Sequence, residues 1–130
     1  MNTRFIPATE LKTYWQFVRC GLDRILSKSR EEWIAEDVYA AIVSNQAALW
    51  LFETDRPIGF AVIKPDGEDM LVWCVYGVEG GYLKDGMRQI ENIARAGNAK
   101  RITFGTYRRG WDKVAPSLGF KPWMWAKELK

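Results

Sequence analysis

The sequence predicts an α/β fold, α+β in detail, with a mixed and mostly antiparallel central sheet of about six strands flanked by about four helices. Three observations predict it. Strands and helices follow one another in the order β, α, α, β, β, β, α, β, α, β, so hairpins join the early strands and helical crossovers the late ones. Residues 70–76, MLVWCVY, are nearly continuous in apolar character, as a central strand covered on both faces requires. A chain of 130 residues that is 48% hydrophobic and 14% aromatic has material for one core, which predicts a single domain over residues 1–130.

An opening strand heads that order. Thr9 can then cap a helix in which Leu11, Tyr14, Trp15, Val18, Leu22, Ile25 and Leu26 recur with helical spacing and form one apolar stripe. Ser29 and Glu32 have the form of a capping box ahead of Ile34, Val38, Ala41 and Ile42, a second helical face that ends near Ser44 and Asn45. Residues 48–52 and 58–63 are short apolar runs on either side of Thr54-Asp55-Arg56-Pro57, which reads as an antiparallel hairpin. Pro65-Asp66-Gly67 makes the next turn, into the central strand. After a glycine-bearing loop at residues 77–82, Leu83, Met87, Ile90 and Ala94 share a helical stripe that Gly97 can end with a left-handed cap. Residues 101–107 form a strand in which Ile102 and Phe104 alternate. Trp111, Val114, Ala115 and Leu118 make a short helix closed by Gly119, and Trp123 and Trp125 mark a final strand.

The chain has no histidine, which removes His-based triads, His general bases and His metal sites. Carboxylates, tyrosine, cysteine, lysine or water are left for any proton transfer. Cys20 and Cys74 are the only cysteines and form no CxxC pair, so neither a disulfide framework nor a zinc site is indicated. The net charge is +3, with local richness only at Lys100-Arg101 and Arg108-Arg109, a weak footprint for nucleic acid. The apolar runs are too short to cross a bilayer and the N-terminus lacks the apolar segment of a signal peptide, so the expectation is a cytoplasmic protein.

Three features together resemble the GCN5-related N-acetyltransferase (GNAT) superfamily across almost the whole chain. Two helices precede a three-strand meander. A buried strand runs through a glycine-containing loop into a helix that ends IARAGNAKRI at residues 93–102. Finally, residues 115–120, APSLGF, are similar to the family's closing pattern, in which an apolar helix leads into Leu118-Gly119-Phe120 and a last strand.

The resemblance implies acetyl-CoA as the acyl donor. Backbone groups at the strand end, Val75, Tyr76 and Gly77, would pair with the pantetheine arm. The loop and helix N-terminus, Val78, Glu79, Gly80, Gly81, Tyr82 and Leu83, would cradle the pyrophosphate through amide donors and the helix dipole. The chain departs from the family in two places. The family's cradle reads Q/R-x-x-G-x-G/A, whereas residues 77–82 read GVEGGY, with Glu79 where phosphate is met and Lys84 to offset its charge. The tyrosine that protonates the thiolate in many members falls at or near Ala115.

Several residues carry two readings. Gly80-Gly81 is a phosphate cradle or only a strand-to-helix turn. Tyr107 protonates a thiolate or orients an amine, or it simply packs. Glu53 and Glu79 are the carboxylates for proton handling. Arg108 and Arg109 meet CoA phosphates or an acidic substrate, or form a solvated turn. Cys74, between Trp73 and Val75, reads as an inert core thiol rather than an acyl carrier. Trp123 and Trp125 close the core or make an edge for a partner or a second copy.

The expected function is acetyl transfer from acetyl-CoA to a small-molecule or protein amine, which attacks the thioester directly while backbone amides polarise the carbonyl. The alternative is a GNAT-fold protein without catalysis that acts through protein–protein contact, as in phage virion assembly.

Overall fold

The computed structural model describes residues 1–78, 81–106 and 110–129. Strand β1 (Asn2–Ile6) leads through a 3-10 turn (Ala8–Glu10) into α1 (Leu11–Lys28) and α2 (Ala35–Val43). A meander of β2 (Ala48–Glu53), β3 (Pro57–Asp66) and β4 (Asp69–Gly77) follows, then α3 (Leu83–Ala96), β5 (Arg101–Thr103) and α4 (Trp111–Ser117). The strands form one sheet in the order β1-β2-β3-β4-β5, antiparallel except for the parallel β4–β5 pair. This is the expected mixed sheet with one strand fewer among the described residues.

The strand that does not form is the one expected at Trp123 and Trp125. Residues 121–129 join no ladder among the described residues, and Trp125 is 94% exposed. Pro122 has no N–H to give to a ladder, and β5 spans three residues and offers little edge to extend. The two indoles therefore do not close the core. Trp123 instead lies under the guanidinium of Arg101, whose Cζ is 4.2 Å from the ring centroid.

Strand alternation divides the core between the two faces of the sheet. Leu49, Leu51, Phe60, Val62 and Cys74 point to one face, where α1 and α2 cover them with Val18, Leu22, Val38 and Ile42. Ala61, Ile63, Met70 and Val72 point to the other, under Ile90 and Ala94 of α3. None of the described helices is long and apolar enough to cross a membrane.

Helix ends differ from the sequence expectation for local reasons. Thr9 sits in the 3-10 turn, and α1 starts after Glu10 without a side-chain cap. The Ser29 hydroxyl donates to Glu31 Oε1 at 2.8 Å instead of capping a helix. Helix α2 begins later, where the Ile34 N–H donates to Asp37 Oδ2 at 2.9 Å, the carboxylate half of a capping box. After α3 the left-handed residue is Asn98 (φ 58°), not Gly97. The N–H of Asn98 bonds the Arg95 carbonyl and that of Ala99 bonds the Ala94 carbonyl, closing a Schellman end. Strand β3 continues through Pro65 and Asp66 and turns at Gly67 (φ 61°). Because β2 stops opposite Ile63, Pro65 lies on an edge where its missing N–H costs no ladder bond to β2.

Candidate functional site

Strand β4 is paired on both edges only at its start. Asp69, Met70 and Leu71 pair with Arg101, Ile102 and Thr103, after which β5 ends while β4 runs on to Gly77. The two strands part, and from Val72 onward β4 has no ladder partner on that side among the described residues, which leaves an open edge. Two local features accompany the parting. Val62 pairs with Cys74 but Ile63 pairs with Val72, so Trp73 is an extra residue in β4, a bulge that bends the strand. Beyond β5, Phe104 packs edge-on against Trp111 (5.3 Å between ring centroids) and Phe120 (4.8 Å), which ties the departing chain to α4 rather than to the sheet.

Which backbone groups face the opening follows from one hydrogen bond. Val78 N–H donates to the Ile58 carbonyl at 2.7 Å, so alternation assigns the N–H and C=O of Tyr76 and Cys74 to β3 as well. Those of Val75 and Gly77 then point away from β3, into the opening. The Tyr76 ring goes to the α1 face, 5.6 Å from Phe60 and 6.4 Å from Phe17 between centroids. A Cβ on Gly59 would fall on the Tyr76 carbonyl oxygen, so glycine is what lets β3 lie this close to β4 here.

The N-terminus of α3 meets the same opening. Tyr82 is its N-cap residue, and the first intrahelical bond runs from Gly86 N–H to the Tyr82 carbonyl at 2.8 Å. The N–H groups of Leu83, Lys84 and Asp85 therefore have no acceptor within the helix. Gly81 takes φ 93°, in the left-handed region, and a Cβ there would meet nothing within 4 Å. The need for glycine at that position is conformational, not a matter of space.

A cavity of about 340 Å³ occupies the opening. It brings together Val75, Tyr76, Gly77, Gly81, Tyr82 and Leu83. Val78 does not line it, being exposed with its N–H committed to β3. Glu79, Gly80, Tyr107, Arg108 and Arg109 lie outside the described residues. Glu53 is not on the cavity wall. It forms a two-pronged pair with Arg4, at 2.7 and 3.1 Å, and that guanidinium holds its carboxyl below the usual carboxylate range. Cys74 does line the cavity, but burial pushes its thiol well up, which leaves it protonated and non-nucleophilic. Ala115 spends its carbonyl on the N–H groups of Leu118 and Phe120 at the end of α4.

Two parts of the wall escape sequence reasoning. Phe104, Trp111 and Phe120 read as core aromatics, and only Gly105 hints that the chain bends away after β5. Arg24 and Lys28 also line the wall, and no local sequence signal sets them apart from the other charged residues of α1.

The same architecture occurs in solved acetyltransferases. A probable acetyltransferase superposes with a TM-score of 0.72 at 14% identity, over 100% of this chain and 97% of its own. A ribosomal-protein-alanine N-acetyltransferase from Brucella melitensis biovar Abortus 2308 gives 0.70 at 10% identity, over 100% and 99%. The chain has the GNAT fold. A third GNAT structure, the aminoglycoside N-acetyltransferase AAC(6')-Iy in complex with CoA, gives 0.63 at 16% identity, over 99% and 98%. No protein-family model matches the sequence, and no curated protein does. At these identities the GNAT likeness is one of fold, over almost the whole chain.

Proposed function

We propose that residues 1–130 act as one domain that transfers an acetyl group from acetyl-CoA to an amine. The observation that carries the proposal is the open edge of β4 beside the N-terminus of α3. Val75 and Gly77 offer N–H and C=O groups to the amides of an extended pantetheine arm, as a neighbouring strand would. The N–H groups of Leu83, Lys84 and Asp85, which have no acceptor within the helix, suit the pyrophosphate together with the helix dipole and the Lys84 ammonium. Gly80 and Arg108 complete the proposed cradle, which does not include Val78, whose N–H is spent on the Ile58 carbonyl. Apolar walls at Phe52, Ile58, Phe104 and Trp111 exclude water from the reacting carbon.

A thioester supplies an acyl group that is already activated, so the protein's task is placement and proton handling. The amine nitrogen attacks the carbonyl carbon, the C–N bond forms and the C–S bond breaks. Glu79 is the proposed acceptor of the amine proton and Tyr107 the proposed donor to the departing thiolate. Two of the structural neighbours are N-acetyltransferases by name and one is bound to CoA, which supports an amine acceptor and a CoA donor.

Calorimetric titration with acetyl-CoA tests the proposal. Saturable binding is expected, weakened by about ten-fold or more in Gly81→Glu, which puts a carboxylate where the pyrophosphate belongs. An absence of binding at millimolar ligand removes the proposal.

A further inference from the structure

The cavity does not stop at the sheet. It passes between β4 and the departing chain and opens on the α1 face, where Arg24, Lys28, Glu31, Trp33 and Trp73 line it. Helices α1 and α3 cover opposite faces of the sheet, so this mouth lies across the sheet from the amides of the α3 N-terminus. An anion held here is therefore not the one those amides suit.

The charges at this mouth are unusual for the molecule. Arg24 and Lys28 stand one helical turn apart, a spacing at which like charges repel. Neither has an ion-pair partner among the described residues. By contrast, Arg19 on the same helix faces Asp23 at 3.7 Å and Glu36 at 3.4 Å, and Arg88, Arg95, Lys100 and Arg101 each face a carboxylate. Glu31 adds the opposite sign at the same mouth. Its Oε1 accepts from the Ser29 hydroxyl, and its other oxygen has no partner among the described residues. Trp33 and Trp73, 6.1 Å apart between ring centroids, form an aromatic wall beside these groups. Two uncompensated cations and a carboxylate around one opening match a small ligand that carries both charges.

Building on the acetyl-transfer reading, we propose that the acceptor is a small primary amine bearing an acidic group. The acid binds Arg24 and Lys28, the ammonium faces Glu31 and gives it one proton, and the neutral amine so formed is aimed through the gap beside β4 at the thioester. An amine without the acid would leave both cations unmatched.

The test compares matched amines by the release of CoA thiol at saturating acetyl-CoA: 4-aminobutyrate against butylamine, and O-phosphoethanolamine against ethanolamine. The wild type is expected to favour the acidic member of at least one pair by about ten-fold or more in kcat/KM, and the pair that responds shows whether the acid is a carboxylate or a phosphate. In R24Q/K28Q the preference should fall below about two-fold, chiefly through KM, and R24Q alone should lie between. Acetyl-CoA titration and thermal melting of the variants establish that they are folded. Equal use of acidic and neutral amines, or a preference that survives in R24Q/K28Q, overturns the inference. A protein that binds acetyl-CoA but turns over neither acidic amine also overturns it, leaving the acetyl-CoA site intact. Failure to bind acetyl-CoA at all instead removes the acetyl-transfer reading on which it rests.

Discussion

From β1 to β4 each strand runs antiparallel to its neighbour through five or more residue pairs, and Val18, Leu22, Leu49, Leu51, Phe60 and Val62 beneath them are fully buried. From β4 to β5 the pairing is parallel and three residues long, α4 buries none of its side chains, and the chain after it carries exposed Trp123, Met124 and Trp125. The two halves meet along β4, which is saturated on its β3 edge and largely open on the other. Unpaired backbone groups weaken a fold when nothing meets them, yet they are what a ligand with amides and phosphates can use. The closed half supplies the rigidity against which the open half can keep such groups in place.

The sharpest way to break this comparison is to remove an aromatic ring from each half. Phe60→Ala should cost about 3–5 kcal/mol in chemical denaturation, since the ring is 0% exposed and packs on Phe17 and Tyr76. Phe104→Ala in the open half should cost clearly less, because that ring is only half-buried. Equal losses would mean that the open half is as much a part of the core as the closed one.

Gly59→Ala tests the seam. The added Cβ would collide with the Tyr76 carbonyl, and overpacking of this kind costs about 1–3 kcal/mol. The push falls beside Gly77, so acetyl-CoA affinity by calorimetry should drop as well. A variant as stable as the wild type, with unchanged affinity, would show that β4 is not held in place by its contact with β3 at this point.

A smaller effect comes from Glu53, at the edge of the closed half. The hydrogen bond from Arg4 depresses its pKa, so the pair adds stability above the ordinary value of 4.5 and loses it as pH falls through the lower folded value. Melting midpoints of the wild type and Glu53→Gln should differ most at neutral pH and draw together as the pH falls below 4.5. The gap should be small, because the Arg4 side chain is 43% exposed and solvent screens the pair. A gap unchanged at the lower pH would rule out the ionised pair as its source.

The stripe of α1 and the apolar run of β4 are legible in the sequence because periodicity reports directly which side chains are buried. Helix ends are less so. Ser29 and Gly97 have the composition of caps, but Asp37 and Asn98 do the capping, because tertiary packing decides where each helix starts and stops. Trp123 and Trp125 have the composition of a strand, yet a strand also needs an edge to pair with, and β5 is too short to provide one. At the candidate site, the β4–loop–α3 unit is contiguous in the chain and can be read there. The wall made by Arg24, Lys28, Trp111 and Phe120 draws on distant segments and cannot.

Residue order alone determined that this chain builds a mixed sheet with helices on both faces, since two- and three-to-four-residue periodicities are properties of the backbone and need no partner to be recognised. Only the tertiary structure decided that β4 and β5 part after Leu71, and that Arg24 and Lys28 reach the resulting opening. Where two strands separate depends on bulges, ring packing and the lengths of both at once, and no local stretch of sequence contains all of these.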